Sequence, residues 1–160
     1  MEVEILKQNG HNFLWIDKEL WMWDVYQEDK IQKGLAEQAS GDVLVVGYGL
    51  GLVHKHLLEN KKVSSITTIE KYEEVIEACK SAGLPIIGGV MIGDFLLEKG
   101  ESTFDCVIGD IWTDIVPSEL NTYKAFKNKA LEYVPKSGIV DDKILAWGKD
   151  YFEYLINKKW

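Results

Sequence analysis

The run VLVVGYGLG at residues 43–51 constrains this chain more than any other feature. Its four leading apolar, mostly β-branched residues read as a strand buried on both faces, and such a strand needs covering layers on either side. It runs straight into Gly47, Gly49 and Gly51, and a helical pattern follows over residues 50–60. Glycine in such a turn permits positive φ and close approach of a ligand, beside the unpaired N–H groups of a helix start. The alternation then continues. Strand-like runs fall at residues 42–47, 64–69, 86–92 and 104–109, with a short one at 139–140. Helical patterns fall at 72–82 and 118–133, a helical turn at 94–98, and a last helix at 143–158. Ser118 is the expected N-cap of the helix over 118–133, and Pro135 lies just past its end.

Alternating strands and helices predict an α/β fold with right-handed crossovers. The expected architecture is a Rossmann-like, doubly wound, mostly parallel sheet of order 3-2-1-4-5, counting strands from residue 42. Residues 1–24 differ: alternating apolar positions broken at Asn9-Gly10 and at Asp17-Lys18 predict an antiparallel β-meander. Residues 26–39 read as a helix closed by Ser40-Gly41. The 160 residues suit one domain. Within it lie the meander (1–24), a nucleoside-binding core (42–141) and a C-terminal helix (143–158).

The formal net charge of −8 repels phosphate backbones, and no basic stripe offsets it, so neither nucleic acid nor an anionic membrane is an expected partner. A small or cationic substrate suits this field better. No apolar run is long enough to span a bilayer, and the first ten residues lack the pattern of a signal peptide. Cys79 and Cys106 sit inside apolar patterns, as reduced core residues of a cytoplasmic protein would.

Ligands of open parallel sheets bind beyond the carboxyl ends of the strands, near the point where strand order reverses. The residues that follow each strand are therefore the candidate site. Glu70 ends the second strand, 19 residues after Gly51, where a carboxylate can accept from both hydroxyls of a ribose; a solvated helix cap is the alternative. The third strand ends in Gly93-Asp94-Phe95. Asp94 is placed to accept from an adenine amino group with Phe95 packing nearby, or else to cap the following turn. The fourth ends in Gly109-Asp110-Ile111-Trp112, with Asp110 at the mouth of the cleft where a reacting group lies. Lys71 and Tyr72 are placed either to flank the pocket or to lie on the surface. Together these ends imply an adenosine derivative. A dinucleotide fingerprint would need glycine at position 52, which is Leu52; the G-x-G-x-G pattern suits a nucleoside with an amino-acid-like tail. His54 and His56, two apart on a helix, face different ways, and no metal site is expected.

VLVVGYGLGLV, ITTIEKYEEVIEAC, IGDF and FDCVIGDIW together resemble the class I S-adenosylmethionine-dependent methyltransferase fold over residues 42–141. The spermidine synthase-like branch is similar over more of the chain. It shares a meander ending near Trp23-Asp24, a helix before the glycine turn, and FDCVIGD followed by a helix and PKSGIV. The resemblance implies S-adenosylmethionine or its decarboxylated form as cofactor, without a metal. It places Gly47, Gly49 and Gly51 along the methionine or aminopropyl side, Glu70 on the ribose, Asp94 on the adenine amino group and Asp110 beside a substrate amine. There are departures. Leu50 stands where aminopropyltransferases carry an aspartate for the terminal amine of the cofactor. Their D-x-x-D pair becomes Asp110 with Thr113 at the second place and Asp114 one residue later. The sixth and seventh strands of the fold have no counterpart.

The expected function is transfer of an aminopropyl or methyl group to a small-molecule acceptor, amines included. The alternative is a non-catalytic protein that binds S-adenosylmethionine or methylthioadenosine. Displacement at a sulfonium needs an oriented nucleophile and exclusion of water. Asp110 is the expected carboxylate beside the attacking amine, with Asp114 second. Six tryptophans, Trp15, Trp21, Trp23, Trp112, Trp147 and Trp160, are many for this length. Trp112 suits either a cleft wall or an interface. Aromatics concentrate at interfaces, and the fifth strand would be an open edge that the C-terminal helix or a second subunit must cover. A homodimer is expected.

Overall fold

Two turns with consecutive left-handed residues shape the N-terminal sheet. Asn9 and Gly10 have φ of 53° and 79°, and Asp17 and Lys18 have 49° and 65°, the paired positive values of tight hairpin turns. They join β1 (Val3–Gln8), β2 (His11–Ile16) and β3 (Glu19–Trp23) into an antiparallel sheet of order β1-β2-β3. This is a computed structural model; it describes residues 1–100, 103–112 and 114–158. Thr113 and Trp160 lie outside the described residues. On one face of the small sheet, Leu14, Ile16 and Met22 pack with Leu50, Leu52 and Val75 of the larger body. On the other, Phe13 meets Trp23 edge-on at 6.0 Å.

The larger body follows as α1 (Tyr26–Glu37), β4 (Gly41–Val46), α2 (Leu52–Glu59), β5 (Val63–Glu70), α3 (Glu73–Ser81) and β6 (Gly89–Ile92). It continues through β7 (Cys106–Gly109), α4 (Leu120–Ala130), β8 (Ile144–Ala146) and α5 (Lys149–Asn157). Its five strands are all parallel in the order β6-β5-β4-β7-β8, which is the expected 3-2-1-4-5. Alternation along β4 shows why both faces are covered. Val43 and Val45 pack with Leu35 and Ala36 of α1 and Val53 and Leu57 of α2. Leu44 and Val46 face the opposite cluster, with Tyr123 and Phe126 of α4 and Phe152 of α5. Trp112 joins that cluster, edge-on to Tyr123, Phe126 and Phe152 at 5.5–5.6 Å. Gly109 is required there, since a Cβ would stand 2.2 Å from the Phe126 ring.

Four expectations about element boundaries are corrected. The fifth strand is Ile144–Ala146, not residues 139–140. Gly138 turns the chain with φ 69°, and Val140 opens a 3-10 turn through Lys143. In that turn the Asp141 carboxylate lies 3.2 Å from the ammonium groups of both Lys127 and Lys149. The segment lies off the sheet in this turn, and the sheet takes the next apolar triplet instead. The last helix therefore begins only at Lys149, after Gly148 at φ 75°. Ser118 is no cap: it lies inside a 3-10 turn, Pro117–Glu119, and α4 starts at Leu120 without a side-chain cap. The third parallel strand is shorter than residues 86–92, because the Ile87 N–H donates to the Tyr48 hydroxyl at 2.9 Å rather than to a neighbouring strand.

Cys79 and Cys106 are free and buried, and burial pushes their thiols up to about 11 and about 12 respectively. No helix among the described residues is long and apolar enough to cross a membrane. Along β8, the Lys149 ammonium donates to the Ile144 carbonyl at 2.7 Å, so the head of α5 occupies part of the edge.

Candidate functional site

The carboxyl ends of the parallel strands open into one cavity of about 610 Å³, roofed by β2 and β3 of the small sheet. That size lies within the ~300–1,000 Å³ usual for small-ligand sites. Each strand end contributes. After β4 comes the glycine turn, where Gly47 and Gly49 line the cavity with φ of 89° and 58°. A Cβ on Gly49 would stand 2.7 Å from the Met22 sulfur, which accepts the Leu50 N–H at 3.4 Å. Leu50 is buried beneath the small sheet. Gly51, the N-cap of α2, is buried and outside the lining.

Glu70 closes β5 and is 6% exposed. Its carboxylate accepts the Tyr48 N–H at 2.9 Å and the Tyr72 N–H at 2.8 Å. One buried anion thus pins the glycine turn to the start of α3, and each oxygen keeps a further lone pair for a ligand. Asp94, after β6, accepts the Leu96 N–H at 3.0 Å on one oxygen, and its other oxygen lies 3.6 Å from the Lys71 ammonium. It caps the following turn while still lining the cavity. Phe95 also borders the cavity, but it is 4% exposed and its ring stacks on Tyr133 at 5.2 Å, so it presents little to a ligand.

Asp110, after β7, is half-buried in the cavity wall. Burial, reinforced by the nearby Glu28 carboxylate and opposed by a hydrogen bond from Gln32, pushes its carboxyl up to about 7. Asp114 is exposed, accepts the Ile115 N–H at 2.8 Å, and is not part of the cavity lining. The structure therefore brings Gly47, Gly49, Glu70, Asp94, Phe95 and Asp110 to one cavity and leaves Gly51 and Asp114 outside it. Trp112 and Trp147 belong to the wall, Trp21 and Trp23 to the roof.

Two polar residues of α1 join the site unforeseen. The Gln32 side-chain amide donates to Glu28 at 3.2 Å and to Asp110 at 3.1 Å. Gln32 is 2% exposed. A sequence signal for both existed: Glu28 and Gln32 lie on the same helical stripe as Leu35, Ala36 and Ala39, the face that packs on the sheet.

Solved structures share this fold. A probable spermidine synthase from Corynebacterium glutamicum superposes with a TM-score of 0.59 at 12% identity, over 85% of this chain and 58% of that one. M. jannaschii TYW2, in complex with AdoMet, gives 0.51 at 19% identity, over 82% of this chain and 58% of that one. The S-adenosylmethionine-dependent methyltransferase SibL, in its apo form, gives 0.52 at 16% identity, over 70% and 33%. The fold is that of the S-adenosylmethionine-dependent methyltransferases. The chain spans little more than half the length of the first two of these structures and a third of the last. No family model matches it, and no curated protein matches it. On this methyltransferase fold the cavity lies where the strand order reverses, between β4 and β7. Among the described residues no group of His, Cys, Asp and Glu could hold a metal ion.

Proposed function

We propose that the chain binds a sulfonium nucleoside, S-adenosylmethionine or its decarboxylated form, in this cavity and transfers an aminopropyl or methyl group to a small amine. The observation that carries the reading is the charge of the cavity. Among the described residues, Glu28, Glu70, Asp94 and Asp110 line it against the cation of Lys71, and an acidic, largely apolar enclosure favours a cationic ligand. The ligand supplies an electrophilic carbon on sulfur. Glu70 would hold the ribose hydroxyls and Asp94 the adenine amino group, with the glycine turn along the tail. Asp110 would orient the acceptor nitrogen and take its proton, a role suited to a carboxyl that titrates near neutrality. The roof of Leu14, Ile16 and Met22 keeps water off the reacting carbon.

Calorimetric titration with S-adenosylmethionine, its decarboxylated form and methylthioadenosine, side by side, tests the reading. Micromolar binding of at least one is expected. A preference for the decarboxylated form favours aminopropyl transfer, and a preference for S-adenosylmethionine favours methyl transfer. Binding of none removes the proposal and leaves the fold standing. A non-catalytic nucleoside-binding protein is the second reading, favoured by the exclusion of Asp114 from the cavity. Transfer of label from the sulfonium to an amine separates the two.

The proposal includes a cytoplasmic homodimer. Leu6, Trp21 and Trp23 of the small sheet are 52%, 44% and 43% exposed, and such aromatic surface is typical of interface cores. Sedimentation is expected to give twice the 18.2 kDa chain mass. A monomer mass across a concentration series would remove this part.

A further inference from the structure

The acceptor end of the cavity holds a feature that the proton-transfer role of Asp110 alone does not explain. A glutamine side chain, almost fully buried, directs both hydrogens of its amide at two carboxylates from different parts of the chain. Glu28 comes from α1 and Asp110 from the end of β7, 82 residues later. Two carboxylates held by one amide repel each other, and in an enclosed wall that repulsion is weakly screened. Such an arrangement is costly unless a cation completes it. Gln32 has donors enough for one contact to each carboxylate, so the remaining oxygen lone pairs of both stay open toward the cavity they line. Lys71, the lysine among the described residues of the lining, is engaged with Asp94.

We propose that Glu28 and Asp110, fixed side by side by Gln32, form a two-carboxylate receptor for one ammonium group of the acceptor. This rests on the placement of the acceptor beside Asp110. Glu28 is then the second acid of the site, in place of the exposed Asp114, and Gln32 is a positioning residue. An alkylammonium has three N–H donors and can serve both carboxylates at once. The other titratable groups of the lining are Glu70, Asp94, Lys71, Tyr48 and Tyr72. Glu70 and Asp94 already accept backbone N–H groups, and the Tyr48 hydroxyl is bonded to Pro85 and Ile87. Asp110 is the member of the pair set to exchange a proton, and below about pH 7 it retains one in the empty cavity. Docking of an ammonium requires both carboxylates ionised, so that proton leaves to the buffer as the ligand enters.

The test is calorimetry of the whole chain with propylammonium chloride as probe, at about pH 6 in two buffers of different ionisation enthalpy. Wild type is expected to bind and to release close to one proton per ammonium bound. Glu28→Gln, of the same shape, should bind at least tenfold more weakly and release little. Asp114→Asn should match wild type. Gln32→Met keeps the length but removes the donor. Loss of a hydrogen bond that favours the ionised carboxylate moves the half-point of proton release to higher pH, a shift that a packing role alone would not produce. No propylammonium binding by wild type, unchanged affinity in Glu28→Gln, or weaker binding in Asp114→Asn than in Glu28→Gln would overturn the receptor. An unmoved half-point in Gln32→Met would overturn the role of Gln32. Methylthioadenosine binding is measured separately, on wild type and Glu28→Gln. Its failure would count against the nucleoside reading, and the ammonium result would stand by itself.

Discussion

Glu70→Ala is expected to weaken methylthioadenosine binding by about two orders of magnitude and to lower the unfolding free energy by about 3 kcal/mol. Both effects come from one carboxylate. In the folded chain it accepts the N–H of Tyr48 inside the glycine turn and the N–H of Tyr72 just before α3. Hydrogen bonds to a buried charge contribute roughly 1.5–3 kcal/mol each, and water entering the vacated space recovers part of the loss. Loss of its remaining lone pairs removes the two hydrogen bonds expected from a ribose, and each 1.4 kcal/mol is about tenfold in affinity. Glu70→Gln should fall between, because one end of the amide would bring a donor against a backbone donor. Urea unfolding and calorimetry separate the two effects. Retention of wild-type affinity in a destabilised Glu70→Ala protein would remove the ribose assignment and leave the structural one.

Asp110→Asn is expected to abolish transfer while making the chain more stable, by about 1–3 kcal/mol at neutral pH. The direction follows from linkage. The folded carboxyl titrates near 7, against 3.8 for an ordinary aspartate. Between those values the native state holds a proton that the unfolded chain has released, so Asp110 lowers stability as pH rises through that window. The amide has no proton to lose. The gain should therefore be absent below about pH 4 and fully developed above about pH 7. Opening of the site to solvent keeps the gain below the full value of the shift. His54 produces the opposite slope. It is fully buried, bonded to Thr68 at 2.7 Å, and burial lowers it from 6.5 to about 3. The unfolded chain then binds the extra proton, and stability rises with pH by up to about 1.4 kcal/mol per unit in that range. In wild type the two slopes largely cancel. In Asp110→Asn the His54 slope should stand alone in chemical unfolding measured from about pH 4 to pH 8. A flat profile in the variant would contradict the burial assigned to His54, and lower stability at neutral pH would contradict the effect of burial on Asp110.

The parts of this site that local chemistry determines were legible in the sequence. Asn9-Gly10 and Asp17-Lys18 carry their own turn geometry. Val43 to Val46 can only be a central strand, and a glycine turn followed by a carboxylate at the next strand end is set by the topology of a parallel sheet. The misplaced fifth strand has a different origin. Ile144, Leu145 and Ala146 form a triplet too short to show a period, and their burial is decided by pairing with β7. Residues 139–140 are equally apolar, but they lead into a turn in which Asp141 pairs with Lys127 and Lys149. Asp114 is exposed and lies outside the cavity lining. Glu28 and Gln32 stand in a mostly polar helix with no motif that singles them out. What puts them in the cavity is the stripe they share with Leu35 and Ala36, combined with the contact of α1 against the sheet.

The placement of the tryptophans has an optical consequence. Trp21 and Trp23 border the enclosure along the roof strand, and Trp112 and Trp147 stand in its wall. Four of the chain's six tryptophans thus border the space a ligand would fill, with Trp112 locked among aromatic rings and the roof pair partly open to solvent. Emission from such a set depends on what lies between roof and wall. The molecule carries its own label for occupancy, at the one place where a label is wanted.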